Sequence, residues 1–241
     1  WSHPSVLPRV RDLFELRHRI VPYLYTAFLR SVEQAEPITR PLAYDFPAWR
    51  PGHREDLVHM VGPALLVAPV VEPNAETRTL TLPPGRWCHL ATGEVHHGDA
   101  VVTVPAPLGI PVWFLRAGHT LPIARRTGMA DLMSGGMPWP EGSGVDWIAL
   151  LDEAGEASGT FTWDDGQSRG YTHGERDTFR LTIASHGPAR LHVEQGSALG
   201  LPDVRVCEVP RGVPEATWWN RLHDAPTRHA SRTSSSTRLE P

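Results

Sequence analysis

The sequence has 241 residues, 40% of them hydrophobic and 21% charged, with a formal net charge of −4. That is enough chain for one or two globular domains. All 23 basic residues are arginines interspersed with acids, so no basic stripe marks a nucleic-acid surface and lysine chemistry is excluded.

From Ser5 to Gln34 apolar residues recur at helical spacing: Val6, Val10, Leu13, Phe14, Ile20, Val21, Leu24, Tyr25, Phe28 and Val32. Ser5 is the candidate N-cap, and Arg9, Arg11, Asp12, Glu15, Arg17 and Arg19 fill the other faces. Pro22 lacks the N–H of the helical ladder, so a kink or break is expected just before it. So broad a stripe calls for a large partner surface.

Ile38–Tyr44 reads as a short strand, Asp45–His53 as a loop rich in proline and tryptophan, and Asp56–Val61 as one or two helical turns. Strands are then expected over Leu65–Val70, Arg78–Leu82, Trp87–Leu90, Glu94–His96, Val101–Val104 and Val112–Arg116. Each is bounded by turn residues, and the 24 prolines and 21 glycines are spread along the chain in keeping with this. Arg125–Gly144 is a candidate linker. A second strand group follows at Trp147–Leu151, Gly159–Trp163, Tyr171–His173, Thr178–Ala184, Ala189–Val193 and Val204–Val209. From Trp218 the pattern ends in a serine-rich stretch expected to be a disordered tail.

The longest apolar stretches, such as Gly62–Val71, fall short of the roughly 20 residues of a membrane span. Cys88 and Cys207 can form at most one disulfide; two buried thiols in a reducing, cytoplasmic compartment are expected. The chain opens on Trp1 and runs at once into a well-patterned helix, so an upstream part is expected.

Several blocks in order resemble the C-terminal third of glycoside hydrolase family 31. Leu16-Arg17-His18-Arg19-Ile20-Val21-Pro22-Tyr23-Leu24-Tyr25 is similar to the long helix near the end of that family's (β/α)8 barrel. Pro37-Ile38-Thr39-Arg40-Pro41-Leu42 and Tyr44-Asp45-Phe46-Pro47 follow. Gly62-Pro63-Ala64-Leu65-Leu66-Val67-Ala68-Pro69-Val70 is the most specific match, at the opening of the first C-terminal β-sandwich. Leu82–Trp87, Thr92–Val95, Pro105–Leu108 and Arg116–Gly118 continue the register, and Gly155–Thr160 with Asp164–Ser168 resembles the distal β-domain. The likeness covers roughly Arg9 to Val213, with Trp113-Phe114 bulkier than the family pattern.

The resemblance implies a mainly β fold: two antiparallel β-sandwich-like domains preceded by a helical remnant of a (β/α)8 barrel. The domains expected are 1–61 (the barrel's end), 62–125 (proximal sandwich), 126–213 (distal β-domain) and 214–241 (tail). It also implies a bacterial α-glucosidase or α-xylosidase that hydrolyses by double displacement, with no cofactor. Its partners would be an α-linked oligosaccharide, held through the missing barrel, and the remainder of the parent polypeptide, with no nucleic acid or membrane.

Retaining hydrolysis needs two carboxyl groups about 5–5.5 Å apart. The family carries both as aspartates, in motifs of the type W-x-D-M-N-E and G-D-N on earlier barrel strands. Neither motif occurs in this sequence, so no catalytic residue is assigned and the chain alone is expected to be inactive. The alternatives are a non-catalytic carbohydrate-binding module and a non-functional truncated product.

Asp164-Asp165-Gly166 is good turn chemistry, and the span to Glu175 supplies too few acids for a calcium loop. Asp152-Glu153 and Glu156 read as an exposed turn. His96-His97 and His53/His59 lack companions for zinc and read as surface histidines. Of the tryptophans, Trp49 and Trp139 lie in expected loops and are the candidates for an exposed sugar-stacking ring. Arg40, expected on the barrel's final strand, is a candidate hydrogen-bonding group behind the active-site wall; a structural salt bridge with Asp45 is the favoured reading.

Overall fold

The computed structural model describes residues 3–4, 6–124, 145–164, 168–196, 204–208, 227–229 and 231–233. The expected linker, Trp139, Asp165, Gly166, Trp218, Trp219 and the side chain of Cys207 lie outside the described residues.

The leading helical pattern forms two helices, α1 (Val6–Arg19) and α2 (Val21–Gln34), separated at Ile20. Pro22 stands in the first turn of α2, where a missing N–H costs nothing. Arg17 and Arg19 stand in the last turn of α1, placing cations at the negative end of its dipole. Ala35 caps α2 in the left-handed region at φ 57°.

The next region differs from expectation. β1 (Thr39–Pro41) is followed by a helical turn, α3 (Leu42–Asp45), then by a 3-10 turn over Arg50–Arg54, and then by β2 (His59–Val61). Strand and helical turn thus exchange places across Leu42–Val61. Three residues between turn-forming groups carry almost no periodicity, and β2 is held as a strand by neighbours on both sides rather than by its own pattern.

β1 and β2 join β3 (Leu65–Val67), β5 (Arg86–His89), β6 (Val95–His97) and β8 (Trp113–Arg116) in one antiparallel sheet, ordered β1-β2-β3-β8-β5-β6. A two-stranded ribbon, β4 (Thr77–Leu82) with β7 (Ala100–Pro105), completes the first unit. The boundary expected at residue 61 therefore falls inside a continuous sheet, since Met60 pairs with Leu66 across it. Arg40 lies on β1, the edge strand of this sheet, paired antiparallel with β2.

The second sheet has eight strands in the order β15-β14-β10-β9-β11-β12-β13-β16. They are β9 (His119–Ala124), β10 (Val145–Leu150), β11 (Glu156–Trp163), β12 (Asp177–Ala184), β13 (Arg190–Gln195), β14 (Val204–Glu208), β15 (Thr227–His229) and β16 (Ser231–Thr233). Most ladders are antiparallel; β10–β14, β13–β16 and the single β9–β11 pair run parallel. Two corrections follow. Segments of the expected tail pair as β15 and β16, and Tyr171–His173 lies in a 3-10 turn rather than a strand.

Strand alternation divides the apolar residues among three cores. In the first sheet Leu66, Phe114 and Trp87 face Leu80, Leu82 and Val104 of the β4–β7 ribbon. Their neighbours Leu65, Leu115 and Cys88 face the other way, onto Ile20, Tyr23 and the Leu121, Ile123, Ile148 and Leu150 side chains of the second sheet. The second sheet curls round its own core, where Trp147 meets Phe161 edge-on at 6.3 Å. All six residues of β10 are buried because each parity serves a different core.

Candidate functional site

Three features were open to function: the helical face, the Arg40 cluster and the loop tryptophan. Helix α2 sits where the two sheets meet. The Tyr23 hydroxyl donates to the Val61 carbonyl at 2.6 Å and accepts the Ala64 N–H at 3.0 Å, so one phenol satisfies the backbone of the β2–β3 turn. Burial pushes that phenol well above its ordinary range. On the side of the second sheet, the Thr26 hydroxyl accepts the Thr162 N–H at 3.0 Å while donating to Pro22 O at 2.8 Å. The Tyr25 hydroxyl donates to the buried Asp164 carboxylate, and Arg176 pairs with Glu33. Burial, then the hydrogen bond to Asp164 and its charge, raises the Tyr25 phenol as well.

Arg40 is 7% exposed and fully engaged: Nε donates to Pro37 O at 2.8 Å, Nη2 to Glu36 at 2.8 Å and Nη1 to Asp45 at 3.2 Å. Its guanidinium also lies 5.3 Å from the Tyr44 ring centre. This closed network staples the α2–β1 connection to α3; the bond to Asp45 is the structural salt bridge. Trp49 is 8% exposed rather than an open platform. Its indole donates to Asp99 at 3.0 Å and packs with Leu42, Phe46, Val58 and Met60. Gly52 permits this, since a Cβ there would stand 2.8 Å from the indole ring. The proline-rich loop folds inward, and only that glycine three residues on hints at it in the sequence.

Six acids form structural contacts. Glu36 and Asp45 hold arginine, Asp164 holds Tyr25, Asp99 holds Trp49, and Glu55 and Asp152 cap backbone N–H groups. His53 and His59 bond backbone carbonyls of Pro47 and Leu57, and His96 lies 3.8 Å from Glu94. Among the described residues no three histidine, cysteine or acid side chains are grouped to hold a metal, and no helix is long and apolar enough to cross a membrane. Cys88 is a buried free thiol, raised to about 12 by burial.

What remains open is apolar. Leu7, Phe14, Phe28 and Val32 are 61%, 53%, 49% and 70% exposed, with Val6, Val10 and Leu13 beside the first two in sequence. Seven large apolar side chains on two consecutive helices exceed the scatter of single exposed residues. The most sequence-visible feature, the helical stripe, is thus covered around Ile20–Tyr25 and left open on α1 and at the far end of α2.

The described residues define a β-rich class of protein, two sheets keyed together by one helix. Residues 35–121 match the glycosyl hydrolase family 31 C-terminal domain. The chain is 31% identical over 223 residues to lysosomal alpha-glucosidase of Bos taurus, covering 83% of this chain and 23% of that protein. It is 36% identical over 127 residues to alpha-glucosidase of Saccharolobus solfataricus, covering 51% and 18%. Among solved structures it is similar to the alpha-xylosidase of Xanthomonas citri (TM-score 0.73, 23% identity, 90% of this chain and 22% of that one). It is also similar to the dextranase of Flavobacterium johnsoniae (TM-score 0.71, 25% identity, 85% and 26%). The chain belongs to glycoside hydrolase family 31 and carries its C-terminal portion. It spans about a fifth of the length of these curated relatives.

Proposed function

We propose that this chain is the bracing portion of a retaining α-glycosidase and is itself inactive. The parent would cut α-glucosides or α-xylosides through two carboxylates carried on a (β/α)8 barrel. The exposed face of α1 and α2 supports this most directly. One side of α2 is keyed to both sheets through Tyr23, Thr26 and Tyr25, while the apolar residues from Leu7 to Val32 await cover of barrel size. The two β-units then fix where those helices stand, and the barrel supplies the acids and the α-linked oligosaccharide site.

The test is the DNA upstream of the Trp1 codon. An open reading frame continuous with this one and carrying both aspartate motifs is the expected result. A stop codon or an unrelated domain immediately upstream would overturn the reading. Calorimetric titration with maltose separates the binding-module alternative, which requires saturable heat; burial of Trp49 removes its best stacking ring.

A further inference from the structure

The second sheet is built from two blocks of strands. β14, β10 and β9 form one block through continuous ladders, and β11, β12 and β13 form the other. A single ladder pair, Ser158 with His119, joins the blocks on one side. Their apolar faces share one core, in which Val145, Trp147 and Val206 of the first block cluster with Phe161, Phe179 and Leu191 of the second. A core shared across so short a join needs a second fastening.

β15 and β16 stand at opposite ends of the sheet order, yet only one residue separates them in the chain. Thr227, Arg228 and His229 pair with Cys207, Val206 and Arg205 of β14. Ser231, Arg232 and Thr233 pair with Arg190, Leu191 and His192 of β13. The strand directions agree around the whole circuit. β13, β11 and β9 run one way and β12, β10 and β14 the other, while β15 and β16 both run with β13. Closure by one stretch of chain requires that agreement, and a closed ring leaves no bare strand edge.

We propose that residues 227–233 are a clasp. The first half lies along β14 and the second along β13, so one short segment closes the second sheet into a ring and joins its two blocks on the far side. Release of the clasp opens the ring at that seam. The bared edges of β13 and β14 then accept an added strand through their backbone N–H and C=O groups.

Amide hydrogen exchange of the intact chain in rising, sub-denaturing urea tests this. The amides of β15 and β16 should open in one step together with those facing them on β13 and β14, at lower urea than the β11–β12 ladder. A chain ending at Pro226 lacks the clasp and gives a second reading. It should lose protection by about tenfold or more at both Arg190–His192 and Arg205–Cys207, and a synthetic peptide of residues 226–234 should restore it saturably at both edges. If the shortened chain does not fold, the intact chain decides. Opening of β15 and β16 in separate steps overturns the proposal, as does unchanged protection at either edge of a folded shortened chain, or no recovery there with the peptide.

Discussion

Helices α1 and α2 are each 14 residues long and carry the same kind of apolar stripe, yet only α2 buries part of its stripe, leaving Phe28 and Val32 exposed. Helix α2 buries Tyr23, Thr26, Ala27 and Leu29, whereas α1 buries none of its residues. The α2 stripe meets two sheets and is studded with hydroxyls that satisfy strand backbone. The α1 stripe, Val6, Leu7, Val10, Leu13 and Phe14, ends in solvent. Periodicity reports that a helix needs a partner; only packing reports whether the partner belongs to the same chain. The difference marks α2 as the key of this fold and α1 as the helix whose apolar face stays exposed.

Substitutions in the two helices should therefore diverge. The largest effect is expected for Tyr23→Ala, which empties a buried site and strips two backbone partners. A loss of about 4 kcal/mol in a urea melt is expected. A loss below about 1 kcal/mol would show that α2 is no more anchored than α1.

A second effect separates the cores by pH. His89 is buried, held by Thr92 at 3.0 Å through Nδ1, and lowered to about 4 chiefly by burial and then by neighbouring His96. The unfolded chain takes up this proton near the ordinary value of 6.5. Stability is therefore full above that pH and declines as pH falls from about 6.5 to about 4, by about 3 kcal/mol. His89→Gln should flatten that part of the stability profile; an unchanged slope would place the titration elsewhere.

A smaller loss, about 1 kcal/mol, is expected for Trp49→Phe, which keeps the ring in its core and removes the bond to Asp99. At the bottom of the scale, Phe14→Ser should change the melt by less than about 0.5 kcal/mol while reducing self-association in sedimentation. A large destabilisation there would mean that α1 packs within the chain, and the contrast between the helices would vanish.

The sequence made the architecture legible where elements were long or sharply bounded. Strands β4, β7, β10 and β12 fall close to their expected places, and the break before Pro22 follows from the missing N–H alone. Strand β9 was hidden by Pro122, a residue that argues against an inner strand. It is tolerated because β11 pairs with β9 only at His119, so no ladder bond on that side needs the Pro122 N–H. The exchange of strand and helical turn across Leu42–Val61 was hidden because three-residue strands are decided by their neighbours. Trp49 was misplaced because loops rich in proline are generally solvent-facing. Gly52 and Asp99, which let the ring enter the core, are three and fifty residues away. The Arg40–Asp45 pair was legible because it is local. The clasp at 227–233 was not, because both of its ladders pair it with strands far back in the chain.

On the function proposed for it, this chain uses its acids for structure, and the chemistry of the family lies on the barrel. The most direct measurement is release of nitrophenol from nitrophenyl α-glucoside and α-xyloside by the purified chain, against a buffer blank. The account predicts no release above the blank with either substrate. Turnover that copurifies with the folded chain and disappears when one of its own carboxylates is replaced would contradict it.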